Sequence, residues 1–115
     1  MSASPFGVET RRTPGRLTIQ PSGELDIATV GRVRALAEQR RPGEAIELDL
    51  RRLDFLDTSG LQLVVELHRA AREDGYELIL VRATQGVQRV FELAGLDDVL
   101  GFVDAPPPAP ADEPD

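Results

Sequence analysis

The chain has 115 residues, enough for one domain with a single modest core and too few for two. It contains no cysteine, and all thirteen of its basic residues are arginine; disulfides, thiolate nucleophiles, cysteine metal clusters, Schiff-base chemistry and a phosphate-loop lysine are thereby excluded. The net charge is −7, but four of the twenty acids fall in residues 104–115, leaving sixteen against thirteen arginines in the body; a body of that sign without a basic face argues against nucleic acid as a partner.

Residues 1–7 and 104–115 are rich in Ser, Pro, Ala and acid and are expected to be mobile ends around a domain spanning residues 8–103. The Ala-Pro-Pro-Pro-Ala-Pro run of residues 105–110 reads as a solvated tail. No basic start followed by an apolar run opens the chain, and no segment has the length and apolarity of a membrane span. A cytoplasmic protein is the expectation.

In chain order, residues 8–12 read as an edge strand and Thr13-Pro14-Gly15 as a turn. Leu17, Ile19 and Gly23-Glu24-Leu25 predict a second strand, in which Pro21 limits central pairing. A helix is expected after Asp26, with Val30, Val33, Leu36 and Ala37 at helical spacing, Arg40 and Arg41 in its last turn and Pro42-Gly43 as its stop. Gly31 costs that helix about 1 kcal/mol against Ala, which suggests a close helix approach. Residues 45–50 alternate apolar and acidic, as a strand wet on one face would.

A compact loop then leads to a largely buried helix over residues 60–74, whose polar stripe is Gln62, Glu66, Arg69 and Glu73. Leu78-Ile79-Leu80-Val81 is a continuous apolar strand, and residues 85–94 form a third helix with Thr84 as N-cap and Gly95 as its left-handed end. Residues 100–103 are expected to close the sheet. Strands and helices alternating in this order predict an α/β fold with a mostly parallel small β-sheet and packed helices.

The chemistry centres on Ser59. With Gln62 three residues on it fits a capping box, and Asp57 and Thr58 are alternative caps. Three short polar residues in a row exceed what a cap needs, however. Gly60 leaves space beside the hydroxyl, and the loop lies where a parallel strand ends, the edge at which such sheets place ligands. With no nearby histidine or lysine to activate it, the hydroxyl reads as an acceptor of a modification rather than a nucleophile.

Gly23-Glu24-Leu25-Asp26, Leu48-Asp49-Leu50, Asp57-Thr58-Ser59-Gly60-Leu61 and Val90-Phe91-Glu92-Leu93-Ala94-Gly95-Leu96 together resemble a STAS domain, and more narrowly the bacterial anti-sigma factor antagonists. The resemblance covers residues 8–103. It implies a non-enzymatic partner-switching protein without a cofactor. Its unphosphorylated form would bind an anti-sigma factor that is also a serine kinase and so free a sigma factor. Phosphorylation of the serine matching Ser59 would end that association, and a PP2C-type phosphatase would reset it. The implied partner surface is Glu24, Leu25, Asp26, Ile27, Asp57, Thr58, Ser59, Gly60 and Leu61, with Gln62 and Glu66 of the exposed stripe; a homodimer is compatible with it. STAS domains also serve as regulatory subunits of transporters or stress-sensing complexes, the alternative reading.

The remaining residues read more plainly. Asp26 fits a helix cap as well as a place at the switch. Asp54 and Asp57 have neither an acid/base partner nor metal spacing. His68 stands alone as the only histidine, a packed or half-exposed residue rather than a metal ligand. Arg51-Arg52 reads as solvated surface beside the loop, and Phe91, Leu93 and Leu96 as core.

Overall fold

The computed structural model describes residues 5–108. Five strands, β1 (Gly7–Thr13), β2 (Arg16–Leu25), β3 (Ala45–Asp49), β4 (Leu53–Leu56) and β5 (Leu78–Val81), form one sheet, with helices α1 (Val30–Ala37), α2 (Thr58–Asp74), α3 (Gln85–Leu93) and the single turn α4 (Asp97–Leu100). β1 and β2 make an antiparallel hairpin whose register closes at Thr13 opposite Arg16. Gly15 takes the positive φ that this two-residue turn requires. Every other pairing is parallel: β2 with β3, β3 with β5, and β2 with β4. The expected mostly parallel α/β sheet is therefore the fold.

β2 is shared between two neighbours on one side. Its residues 16–19 pair β3, and residues 23–25 pair β4. Pro21, which has no N–H to give, falls in the gap between them. The strand faces separate cleanly by the two-residue period. Leu17, Ile19, Ile46, Leu48 and Leu80 point to the side covered by the helices, where Val33, Leu63, Val64, Leu67, Val87 and Phe91 complete one core. Thr18, Gln20, Glu47 and Asp49 point to the other side.

Several expectations are corrected. Residues 53–56, read as loop, are strand β4. Residues 100–103 do not form a last strand: Leu100 ends α4, and Val103 makes one isolated parallel bridge with Val81. α1 stops at Ala37, before the expected Arg40 and Arg41, because its backbone bonds tighten there to three-residue spacing, Gln39 N–H to the Leu36 carbonyl and Arg40 N–H to the Ala37 carbonyl. Gly31 is exposed, with nothing within 4 Å of where its Cβ would stand, so no close helix approach needs it. Leu93 is 74% exposed rather than core, since its position on α3 faces away from Val87 and Phe91.

The expected mobile ends fall partly outside the described residues. Inside them, Phe6 packs against the core, and the Pro107 carbonyl accepts a hydrogen bond from Arg16. Among the described residues no helix is long and apolar enough to cross a membrane.

Candidate functional site

Because β2 and β4 run parallel, with Leu25 opposite Leu56, the loops that follow them leave the sheet side by side. The Asp57 amide donates to the Leu25 carbonyl at 3.3 Å and ties the two together. This is the carboxyl edge of the parallel strands, the place where α/β sheets present functional groups.

The second loop resolves which residue caps α2. Asp57 is the N-cap, in an extended conformation, and its Oδ1 accepts from the amides of Ser59 at 2.8 Å and Gly60 at 3.2 Å. That satisfies two of the orphan donors at a helix start. Ser59 is thereby relieved of capping. It is half-buried, and its hydroxyl has no hydrogen-bond partner among the described residues. Thr58 is exposed at the first helical position, and Gln62, the residue a capping box would have used, is exposed and unbonded.

Gly60 does not open space beside the hydroxyl, as its neighbourhood in sequence suggests. It faces inward, and a Cβ there would stand 2.8 Å from the Leu25 carbonyl oxygen and 2.9 Å from Leu56 Cγ. The glycine lets the start of α2 press onto the ends of β2 and β4. Leu61 follows it into the edge of the core, and Leu25 is fully buried beneath.

In the first loop, Asp26 organises its own turn. Its Oδ1 accepts from the Ala28 amide at 3.0 Å, and its carbonyl accepts from the amides of Thr29 and Val30. The Thr29 hydroxyl donates to the Glu24 carbonyl at 2.8 Å and accepts from the Asp26 amide at 2.9 Å. Thr29, not Asp26, is the N-cap residue of α1, without a side-chain capping bond. Ile27 is pushed outward and is 77% exposed.

Glu66 stands apart from this cluster in its bonding. Arg34 on α1 grips it with two hydrogen bonds, Nε at 2.8 Å and Nη2 at 3.1 Å. The bidentate bond holds the Glu66 carboxyl below its usual value and the Arg34 guanidinium above its own. An exposed pair of this kind stabilises a fold by at most about 1 kcal/mol, and it leaves Glu66 already engaged.

Phe55 escaped the sequence reading. It sits on β4 opposite Glu24, is 47% exposed, and lines a shallow groove of about 380 Å³ with Thr84, Val87 and Val90. One of only four phenylalanines, two residues before Asp57, was the available signal. Phe55 and Ile27 thus give the edge two apolar points. Around them Glu24, Asp26, Asp54 and Asp57 form no ion pair with any described residue. Among the described residues no three His, Asp or Glu side chains converge on a metal-binding geometry.

The family model described as "Mlab, STAS domain" matches residues 8–103. The anti-sigma F factor antagonist of Paenibacillus polymyxa is 31% identical over 84% of this chain and 86% of that protein. Among solved structures, the anti-sigma factor antagonist SpoIIAA in its unphosphorylated form superposes with a TM-score of 0.69 at 29% identity, covering 89% of each chain. The Bacillus cell fate determinant SpoIIAA in its phosphorylated form gives 0.67 at 28%, covering 89% of this chain and 92% of that one.

Proposed function

The chain belongs to the STAS domain family, and from that premise we propose that it is an anti-sigma factor antagonist switched by phosphorylation of Ser59. The unphosphorylated form binds an anti-sigma factor with serine kinase activity in the cytoplasm and so frees a sigma factor. Transfer of a phosphoryl group to Ser59 ends the association, and a PP2C-type phosphatase restores it. The relatives carry the name of such antagonists, and two of the similar structures are one antagonist in its two modification states.

The observation that best supports the reading is the division of labour between neighbours. Asp57 caps the helix, so Ser59 is held at the first turn with a hydroxyl that no internal bond consumes. A phosphate there adds about −1.5 to −2 charges. A helix start offers roughly 0.3–1 kcal/mol to such a charge, but Asp57 already holds the amides of Ser59 and Gly60. With Asp57 and Asp26 close by, the phosphate has no internal seat and projects from the surface. Its bulk and charge then spoil the docking of a partner that closes over Ile27 and Phe55, while the fold stays as it is.

The test is to incubate the protein with candidate anti-sigma kinases and ATP, map the phosphate, and compare binding before and after. Phosphate on Ser59 with loss of binding is expected. Ser59→Ala should bind constitutively and Ser59→Asp at least about tenfold more weakly, a difference of about 1.4 kcal/mol. Phosphorylation elsewhere, or equal affinity of the two variants, removes the proposal.

A further inference from the structure

The sheet face turned away from the helices is polar on β2 and β3 and apolar at Ile79 and Val81 of β5, and its central residues are buried. Glu47 is 1% exposed, Asp49 2% and Thr18 7%. No helix of the fold covers them. Arg16, Gln20 and Arg51 lie on the two carboxylates, and the segment after Val103 adds Pro106 beside them on its way from β5 towards Arg16 at the start of β2.

Its attachment can be followed bond by bond. Val103 is joined to β5 through its amide to the Leu80 carbonyl at 2.9 Å, and its carbonyl accepts from the Arg82 amide at 2.8 Å. Arg82 Nε donates to Asp104 Oδ1 at 3.1 Å. Pro106 forms one wall of a cleft of about 300 Å³ whose floor includes Thr18, Gln20, Glu47 and Asp49. The far end is held by Arg16. Its Nη1 carries two hydrogens and donates to both Glu47 Oε1 at 2.9 Å and the Pro107 carbonyl at 2.8 Å, while Nη2 reaches the Pro108 carbonyl at 3.4 Å.

We propose that this face is a docking seat for an extended proline-rich segment, occupied in cis by the chain's own residues 104–108. The chemistry fits that occupant. Pro106, Pro107 and Pro108 have carbonyl acceptors and no N–H, and a guanidinium has donors only, so the part of the segment that meets Arg16 brings acceptors and no backbone donor of its own. A polyproline stretch is already extended, which keeps the entropy lost on docking small. Glu47 is the positioning residue: buried in the cleft floor, it holds the Arg16 guanidinium that also bonds the Pro107 carbonyl. The strap closes the cleft, and a competing proline-rich chain would have to displace it.

The test uses the full chain, which has no native cysteine, with a nitroxide on Pro108→Cys. If the seat is real, amide signals of Arg16, Thr18 and Glu47 are strongly broadened, although all three are remote from position 108 in sequence, Arg16 by 92 residues. Adding Arg16→Gln should abolish that broadening. Because Arg16→Gln also strips Glu47 of its partner, a second variant with Gly at positions 106 and 107 leaves the sheet untouched and should weaken the same signal. Absence of broadening in the labelled parent, or broadening unchanged in both variants, overturns the proposal.

Discussion

On the outer sheet face and its hairpin end the inward-lying carboxylates have arginine partners: Glu47 with Arg16, Asp49 with Arg51 and Glu44 with Arg12. At the edge bearing Ser59, Glu24, Asp26, Asp54 and Asp57 have none among the described residues. The contrast is physical. A carboxylate out of water must be paired, because an uncompensated buried charge costs several kcal/mol. A carboxylate within reach of water or backbone amides needs no such pair. The arginines neutralise the sheet's buried acids, whereas at the edge Asp26 and Asp57 accept backbone amides instead.

The largest expected effect breaks the first half of that contrast. Glu47→Ala leaves Arg16, whose side chain is 12% exposed, without its counter-charge, and should cost about 3 kcal/mol of unfolding free energy. Glu24→Ala, the same chemistry at the edge, should change stability by no more than about 0.5 kcal/mol. Denaturant titrations of the two variants compare them directly, and equal losses would mean that the two regions do not differ as described.

Gly60 and the core beneath it come next. Gly60→Ala forces a methyl against a backbone carbonyl and a buried leucine. Overpacking of this kind costs about 2 kcal/mol, and here it lifts the start of α2. Loss of stability together with weakened partner binding is expected; a thermal midpoint equal to the parent's would show that the contact relaxes freely.

How far the molecule could be read from its residues follows the same division. The alternation Ala45 to Leu50, the helical spacing of α2 and the polar triplet at Asp57-Thr58-Ser59 are local, and each corresponds to an element or a loop found in place, although the acidic face of β3, expected to be wet, is buried with Glu47 and Asp49. β4 was not legible, because its burial runs buried, exposed, exposed, buried, and a register shift at Gly23/Glu24 breaks the strand period. The ion pairs were invisible for a different reason: Arg16 and Glu47 stand 31 positions apart, and only the parallel register of β2 and β3 brings them together. Adjacent candidates for the cap of α2 could not be ranked by pattern either. Asp57 wins because its extended backbone aims one oxygen at two amides.

That ranking gives the third prediction. Asp57→Ala removes the cap and should cost about 1 kcal/mol. Ser59→Ala removes a hydroxyl without a bond and should leave stability unchanged while abolishing modification. If Ser59→Ala destabilised the protein as much as Asp57→Ala, the hydroxyl would be structural and the switch reading would lose its support.

Acid titration sharpens the comparison further. Burial alone would raise the Asp49 carboxyl, but side-chain and backbone hydrogen bonds from Arg51, with Gln20, outweigh it and hold the group below its usual value. Bonds from Arg12 and the Arg41 amide lower Glu44 in the same sense. A carboxyl with a depressed folded value contributes stability that is present above the unfolded value, about 4, and is lost as pH falls through the folded one. Stability should therefore decline below about pH 4. Asp49→Asn should flatten that decline, and an acid limb identical to the parent's would show that the Asp49–Arg51 pair does not set it.

The smallest effect has the opposite sign. Gly31 and Gly60 are both helical glycines, but only Gly60 has neighbours where a Cβ would stand. Gly31 is exposed on α1 and lacks the positive φ that would penalise a side chain. Gly31→Ala should therefore stabilise the protein by about 0.5–1 kcal/mol, through helix propensity and a less mobile unfolded chain. Thermal unfolding of the single variants and of the double Gly31→Ala/Gly60→Ala would settle it. With no shared contact the two changes should add, leaving the double variant less stable than the parent, because a methyl in open water gains less than a methyl against Leu25 and Leu56 loses.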